Sequence, residues 1–270
     1  MSKQGSTSAS FGLPEDIYGH AKRLEWIRAH LRAGDRILEI GCGTGYMIVL
    51  PLLLAGWDVL GVDRDEASIR YGQDLLAARN LEPQRLKCMD GADLQDSFDV
   101  VILSEVLEHL SDTAIAAVLS TAHRLLNPGG RLLVTVPNGW GAFEMEMFLW
   151  QRMGLGWLLA TTRFDRVVCA VKRLLAGGSI GYDHPSSLDC SPHCQRFTLR
   201  SITHLINDAG FHVVERTGTV MVAGPLSNLL LTGVLSVMRA NAYLGSVFPA
   251  IASGFMLCAQ QAEDGQGGHS

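Results

Sequence analysis

The sequence predicts an α/β fold, a mainly parallel β-sheet with helices on both faces. Three observations carry that prediction. Apolar, strand-like runs alternate with amphipathic helical segments between Arg36 and Val136. The run Phe98-Asp99-Val100-Val101-Ile102-Leu103 is almost continuously apolar, as a strand covered on both faces requires. Gly41, Gly43 and Gly45 stand at alternate positions directly after the first strand. A turn without side chains lets backbone approach a ligand, and a helix start beyond it offers unpaired N–H groups. Alone, such a turn is weak evidence, because many nucleotide-binding folds use one.

The elements follow in order. Glu15 to Arg32 reads as a helix, with Ile17, Leu24, Ile27 and Leu31 close to helical spacing and Gly34 as its stop. Arg36 to Ile40 is the first strand, and a helix is expected to run to about Ala55, kinked or interrupted at Pro51. Asp58 to Asp63 is the second strand, and it ends on an acid about 20 positions after the glycine turn, where a carboxylate can accept both hydroxyls of a ribose. A helix over Glu66 to Arg79, a short strand over Arg85 to Cys88 and the fourth strand from Phe98 come next. Asp112 to Leu126 is helical, Asn127-Pro128-Gly129-Gly130 is a sharp turn, and Arg131 to Val136 is the fifth strand. Regularity then breaks. Phe143 to Ala176 is amphipathic and helical, and Gly177 to Ser191 is loop-like. Thr198 is a good N-cap for a helix that Gly210 closes. Phe211 to Glu215 and Phe255 to Gln260 are the remaining strands, separated by an apolar insertion over Val220 to Ile251.

Composition bounds the function. The 270 residues suffice for one decorated domain or two small ones with a full core. A net charge of -5 without a basic tract argues against a nucleic-acid partner. The six cysteines show no disulfide-framework spacing and read as reduced thiols, which points to the cytoplasm. The polar start of the chain and its end, from Glu263, read as disordered tails with no signal peptide. Thr217 to Met238 and Ala240 to Ala262 are long and uncharged, or nearly so, but glycines, prolines and polar residues interrupt both. Neither leaves the unbroken run of about 20 residues that a membrane-spanning helix needs.

Four signals sit at four successive strand ends: the glycine turn, Asp63, Asp90, and Ser104-Glu105. Together, Ile37-Leu38-Glu39-Ile40-Gly41-Cys42-Gly43-Thr44-Gly45, Gly61-Val62-Asp63, Phe98-Asp99-Val100-Val101 and Leu126-Asn127-Pro128-Gly129-Gly130-Arg131-Leu132-Leu133-Val134 resemble the motifs of the class I S-adenosylmethionine-dependent methyltransferases. The resemblance implies a Rossmann-like, seven-stranded, mostly parallel sheet with helices on both faces, an antiparallel last strand and a helical cap insertion. It divides the chain into a tail (1–14), a methyltransferase domain (15–137 and 196–262), a substrate cap (138–195), an apolar insertion (219–251) within that domain, and a tail (263–270). S-adenosylmethionine would be held by Glu39, Gly41, Cys42, Gly43, Gly45, Asp63, Arg64, Asp90, Gly91 and Ser104. The glycines would face its methionine portion, Asp63 its ribose, and Asp90 with Gly91 and Ala92 its adenine. Asp63 can also be read as a plain N-cap for the helix near Glu66.

Ser104-Glu105-Val106-Leu107-Glu108-His109 further resembles the ubiquinone-pathway O-methyltransferases and the small-RNA 2′-O-methyltransferases. That likeness implies catalytic roles for Glu105, Glu108 and His109. It also implies a divalent-metal site, Mg2+ or another cation, at Glu105, Glu108, His109 and His193. If the segment is helical, Glu105 and His109 project from one face. His109 as a metal-free general base or as a structural residue are the alternatives, His184 competes with His193, and Cys190 and Cys194 around His193 make poor zinc evidence.

Trp140, Phe143, Phe148, Trp150 and Trp157 make the cap apolar, while Arg152, Arg163, Arg166, Lys172 and Arg173 make it basic. That pattern suits an apolar or lipid-linked small-molecule acceptor and peripheral contact with a membrane. Asn138 and Gly139 are placed to touch the acceptor. The apolar insertion suits a membrane surface or a homodimer. The reading is therefore O-methylation of a small-molecule hydroxyl. The alternatives are a non-catalytic, membrane-associated regulator that binds the same cofactor, an RNA 2′-O-methyltransferase and a nicotinamide-dependent oxidoreductase. Tyr46 in place of a glycine speaks against the last of these.

Overall fold

The computed structural model describes residues 17–162, 193–232 and 234–262. Both expected tails, the basic residues Arg163, Arg166, Lys172 and Arg173, and His184, Cys169 and Cys190 lie outside these residues.

Seven strands form one sheet in the order β3-β2-β1-β4-β5-β7-β6. They are β1 (Arg36–Ile40), β2 (Asp58–Asp63), β3 (Leu86–Cys88), β4 (Phe98–Ser104), β5 (Leu126–Pro137), β6 (Phe211–Gly218) and β7 (Gly254–Gln261). The pairs among β1 to β5 are parallel, and β7 runs antiparallel to both β5 and β6. The order reverses at β1, so the β1–β4 neighbourhood is the switch point at whose carboxyl edge open α/β sheets bind ligands.

Side-chain alternation fills two cores. Leu38, Ile40, Val101, Leu103, Leu132, Val134 and Leu257 face α4 (Asp112–Leu125) and α7 (Leu199–Asp208), meeting Ile115, Leu119, Ile202 and Ile206. Ile37, Val100, Ile102, Leu133 and Cys258 face α1 (His20–Ala29), α2 (Val49–Leu54) and α3 (Glu66–Ala77). Thr198 caps α7 through a reciprocal capping box with Ser201.

Several boundaries differ from the sequence reading. α2 is short and starts at Val49, which puts Pro51 in its first turn, where a missing N–H breaks no helical bond. The Asn127–Gly130 stretch is no separate turn. β5 begins at Leu126, opposite Phe98, and the register shift between Phe98 and Val100 absorbs the irregularity within one strand. Behind β5, α5 (Ala142–Gln151) and α6 (Leu155–Thr161) are separate helices, broken at Gly154 with φ of 71°. The later apolar segment forms α8 (Pro225–Leu231) and α9 (Leu235–Val247). No helix among the described residues is long and apolar enough to cross a membrane.

Candidate active site

A cavity of about 610 Å3 opens at the carboxyl edge of β1, β2 and β4. Its floor is the glycine turn. Gly41 has φ of 75°, and a Cβ there would come within 2.5 Å of the Val106 side chain. Gly45 has φ of 68° and is crowded by Leu86. Both positions thus strain any other residue on conformation and on space. On α3, a Cβ at Gly72 would sit 2.3 Å from the Thr44 carbonyl, so this glycine lets the helix press the turn into shape.

Asp63 ends β2. Its carboxylate accepts the Gly43 N–H at 2.7 Å and the Asp65 N–H at 2.9 Å, which ties the second strand to the glycine turn. The cap of α3 is Asp65, not Asp63. Asp90 accepts the Ala92 N–H and pairs with Arg64, and these contacts hold its carboxyl below the usual range, the Ala92 bond most of all. Cys42 is buried in the same wall, and burial pushes its thiol up.

Glu39 is buried beneath the turn. Burial, with Asp63 nearby, raises its pKa well above the ordinary carboxylate value, although it accepts the Val49 N–H at the start of α2. One of its oxygens has no hydrogen-bond partner among the described residues. Arg23, on the inner face of α1, is the counter-charge. It lies 3.3 Å from Glu105 and also acts on Glu39 and Glu108. The sequence reading missed Arg23 and His20, which both line the cavity. A signal was present: Arg23 is one turn from Ile27 and adjacent to Leu24, so it lies on the helix face that must be buried.

The Ser104–His109 segment is not helical throughout, and this corrects the expected common face of Glu105 and His109. Glu105 has φ of 57°, and only Leu107–His109 forms a 3-10 turn. The left-handed residue turns Glu105 toward Arg23 and the Thr135 hydroxyl, which donates to it at 3.1 Å and meets Ser104 at 2.9 Å. Glu108, His109 and His193 come together instead, with ligand-type atoms all within 4.8 Å of one another. The Glu108 carbonyl accepts the Cys194 and Gln195 N–H groups at 2.7 and 3.0 Å, and these bonds dock the distant His193 segment onto the 3-10 turn. The His109 and His193 rings meet edge to face at 4.9 Å. Glu144 of α5 approaches His193 at 3.7 Å, which brings α5 to the rim. Burial first, and Glu105 second, push Glu108 well above its ordinary value, and one Glu108 oxygen lacks a partner among the described residues.

All the expected cofactor residues except Gly45 line this cavity, together with Glu105, Glu108, His109 and His193. Gly45 shapes the turn from behind. Asn138 and Gly139 do not line it. The buried Asn138 amide donates to the Ala252 carbonyl at 2.8 Å and its oxygen accepts the Trp140 N–H, so this residue braces the end of β5.

A switch-point cavity floored by glycines and walled by a β2 carboxylate defines an α/β protein built for a nucleoside-bearing ligand. A family profile described as "Methyltransferase domain" matches residues 18–216. The chain belongs to this family, within the class I S-adenosylmethionine-dependent methyltransferases. The ubiquinone biosynthesis O-methyltransferase of Pseudomonas syringae pv. tomato is 34% identical over 121 residues, 43% of this chain and 50% of the relative. The protein of the same name from Nitrobacter winogradskyi is 28% identical over 174 residues, 63% of this chain and 65% of the relative. The chain thus spans half of the first relative's length and less than two thirds of the second's. A methyltransferase from Methanosarcina mazei aligns with TM-score 0.53 at 18% identity, over 88% of this chain and 97% of its own. The geranyl diphosphate C-methyltransferase of Streptomyces coelicolor A3(2) aligns with TM-score 0.53 at 16% identity, over 90% and 77%. At these identities the structural likeness concerns the fold.

Proposed function

We propose that this protein transfers a methyl group from S-adenosylmethionine to a hydroxyl of an apolar or lipid-linked small molecule. The observation that carries this reading is the Glu108–His109–His193 cluster on the same cavity wall as the glycine turn. The cavity fits the cofactor. Gly41 and Gly43 line it without side chains, and buried oxygens of Glu39 and Glu108 and the Arg23 Nε have no partner among the described residues. The turn would take the methionine portion, with Arg23 near its carboxylate. Asp63 would take the ribose hydroxyls, and Met89, Asp90 and Ala92 the adenine.

S-adenosylmethionine, when bound, supplies a methyl group already activated on a sulfonium. The chain therefore has to align an acceptor, exclude water and remove a proton. His109 is placed to take that proton at an imidazole nitrogen, and Glu108 at 3.9 Å would stabilise the resulting cation. In the balanced step the acceptor O–H bond breaks, a C–O bond forms, the S–C bond breaks, and a neutral thioether departs.

The fold does not select the acceptor atom, since structural neighbours include a C-methyltransferase and a glycopeptide N-methyltransferase. Oxygen is favoured by the histidine cluster and by the sequence relatives' names. An apolar acceptor is supported by Trp140, Met145, Phe148, Met153, Trp157 and Leu158, all exposed on or just before the two cap helices. A membrane surface or a second copy of the chain would cover the same face. Vesicle co-sedimentation and sedimentation velocity separate these occupants.

A second reading is favoured by the unpartnered Glu108 oxygen beside two imidazoles. One carboxylate and two imidazoles suit a transition divalent cation better than Mg2+. Such an ion would lower the pKa of an acceptor hydroxyl. Glu105 is turned to Arg23, so the cluster comprises Glu108, His109 and His193.

Calorimetry with S-adenosylmethionine, followed by methyl transfer to a prenylated phenol, tests the proposal. His109→Gln should lower turnover by roughly 10²–10⁴-fold with cofactor affinity unchanged. Unchanged turnover removes the base assignment. Full activity of metal-free protein removes the cation.

A further inference from the structure

We propose that the cleft between α7 and β6 is a phosphate-binding site, separate from the methyl-transfer cavity. The cleft measures about 450 Å3, and Thr198, Arg200, Thr203, His204, Arg216 and Ala250 stand in its wall. No carboxylate of the described residues lines it. Arg200 and His204 are one turn apart on α7, so both side chains share a face. Arg216 comes from the edge strand of the sheet. It stands opposite Leu257, whose side chain packs with Ile202 and Ile206 beneath α7. Cross-strand partners point to the same face, so Arg216 faces the α7 side.

The nearest acid in sequence does not answer these charges. Glu215 points to the other face, where it accepts from Trp26 at 2.9 Å and meets His30 at 3.2 Å. Asp208, one turn beyond His204, is not part of the wall. Among the described residues, Arg23, Arg36, Arg64, Arg70, Arg85 and Arg131 each reach a carboxylate. Arg200 and Arg216 reach none, a state they share with arginines such as Arg28, Arg79 and Arg239 among the described residues, but these two line one cleft together. Two guanidinium groups in one cleft wall without a carboxylate among the described residues disfavour one another, and an anion between them would relieve that repulsion. Their planar, multiple donors match the several oxygens of a phosphate better than a single carboxylate.

The surroundings narrow the ligand class. Exposed Val214, Phe248 and Ile251 lie within two residues of Arg216 and Ala250 in the chain. α7 starts directly after Phe197, which bridges to Asn138 at the carboxyl end of β5. The cleft therefore opens on the same edge of the sheet as the methyl-transfer cavity. The shared chemistry is a phosphate ester, carried either by a lipid headgroup or by a free phosphorylated compound.

The full chain is titrated with inorganic pyrophosphate by calorimetry, and co-sedimented with phosphatidylglycerol and with phosphatidylcholine vesicles. Binding to pyrophosphate, or to the anionic vesicles and not the zwitterionic ones, is expected. Pyrophosphate binding alone identifies a soluble ester, and vesicle binding alone identifies a headgroup. Arg200→Gln combined with Arg216→Gln should weaken the positive interaction by about tenfold per arginine. S-adenosylmethionine affinity should stay unchanged, which reports on folding. If the double variant loses cofactor binding, each single variant is read in the same way. No binding of any probe by the wild type, or wild-type binding by variants that keep cofactor affinity, overturns the proposal.

Discussion

Residues 17–137 and the residues beyond them treat apolar surface in opposite ways. In the first region, Leu54 is the lone large hydrophobic side chain that is exposed among the described residues. Every other one lies beyond position 137, with Trp140, Trp157 and Tyr243 at least 70% exposed. The first region also turns its polar burial inward, where Arg23 faces Glu39, Glu105 and Glu108 in the cavity. It uses composition to close a core and line a charged cavity. The later helices use theirs to leave a greasy surface uncovered, and surface of that kind marks contact with something else.

Substitutions on the two sides should therefore differ in kind. The largest effect is expected at the floor of the cavity. Gly41→Ala combines a left-handed backbone with a contact to Val106, and should cost roughly 2–5 kcal/mol in urea unfolding. Next comes Asp63→Ala. It removes the acceptor for two backbone N–H groups and, on the proposed reading, for two ribose hydroxyls, and should weaken S-adenosylmethionine about 10²-fold by calorimetry. Undiminished affinity would refute the cofactor assignment.

On the other side, the buried Glu146 of α5 accepts the N–H of Ser227 at 2.8 Å and the Ser227 hydroxyl, pinning α8. Glu146→Ala should cost about 1–3 kcal/mol. Faster amide exchange should be confined to α5 and α8, with cofactor affinity retained. If exchange quickens in β1 and β2 as well, the two regions are one cooperative unit and the contrast fails. Trp157→Ser should change stability by no more than about 0.5 kcal/mol while reducing use of an apolar acceptor.

The smallest effect concerns pH. Asp99 accepts the Arg36 N–H and the Asn127 amide, the first contributing most, and its folded pKa lies below the ordinary value. A depressed carboxyl adds stability above the unfolded pKa of about 3.9, and this is lost as pH falls through the folded value. Asp99→Asn should accordingly lose less stability than wild type between neutral pH and acid below about pH 4. An unaltered acid limb in urea titrations would show that Asp99 does not contribute.

Legibility followed the range of the interaction. The strands and the glycine turn could be read because apolar runs and closely spaced glycines are local patterns, whereas the bond from the Gly43 N–H to Asp63 spans 20 positions. Pro51 was misread because its effect depends on where the helix starts, and Val49 as the first residue makes it harmless. Leu126 was assigned to a helix end because its strand partner, Phe98, is remote in sequence.

The sequence by itself determined the sheet, the methyl-donor motifs and the residues Glu108, His109 and His193 as candidates. Only the tertiary structure decided how they group. A left-handed Glu105 turns toward Arg23, a residue of the first helix. Two backbone bonds to the Glu108 carbonyl carry His193 into the cluster. Helical spacing is a local rule, whereas a counter-charge and a docked segment are set by atoms far apart in the chain.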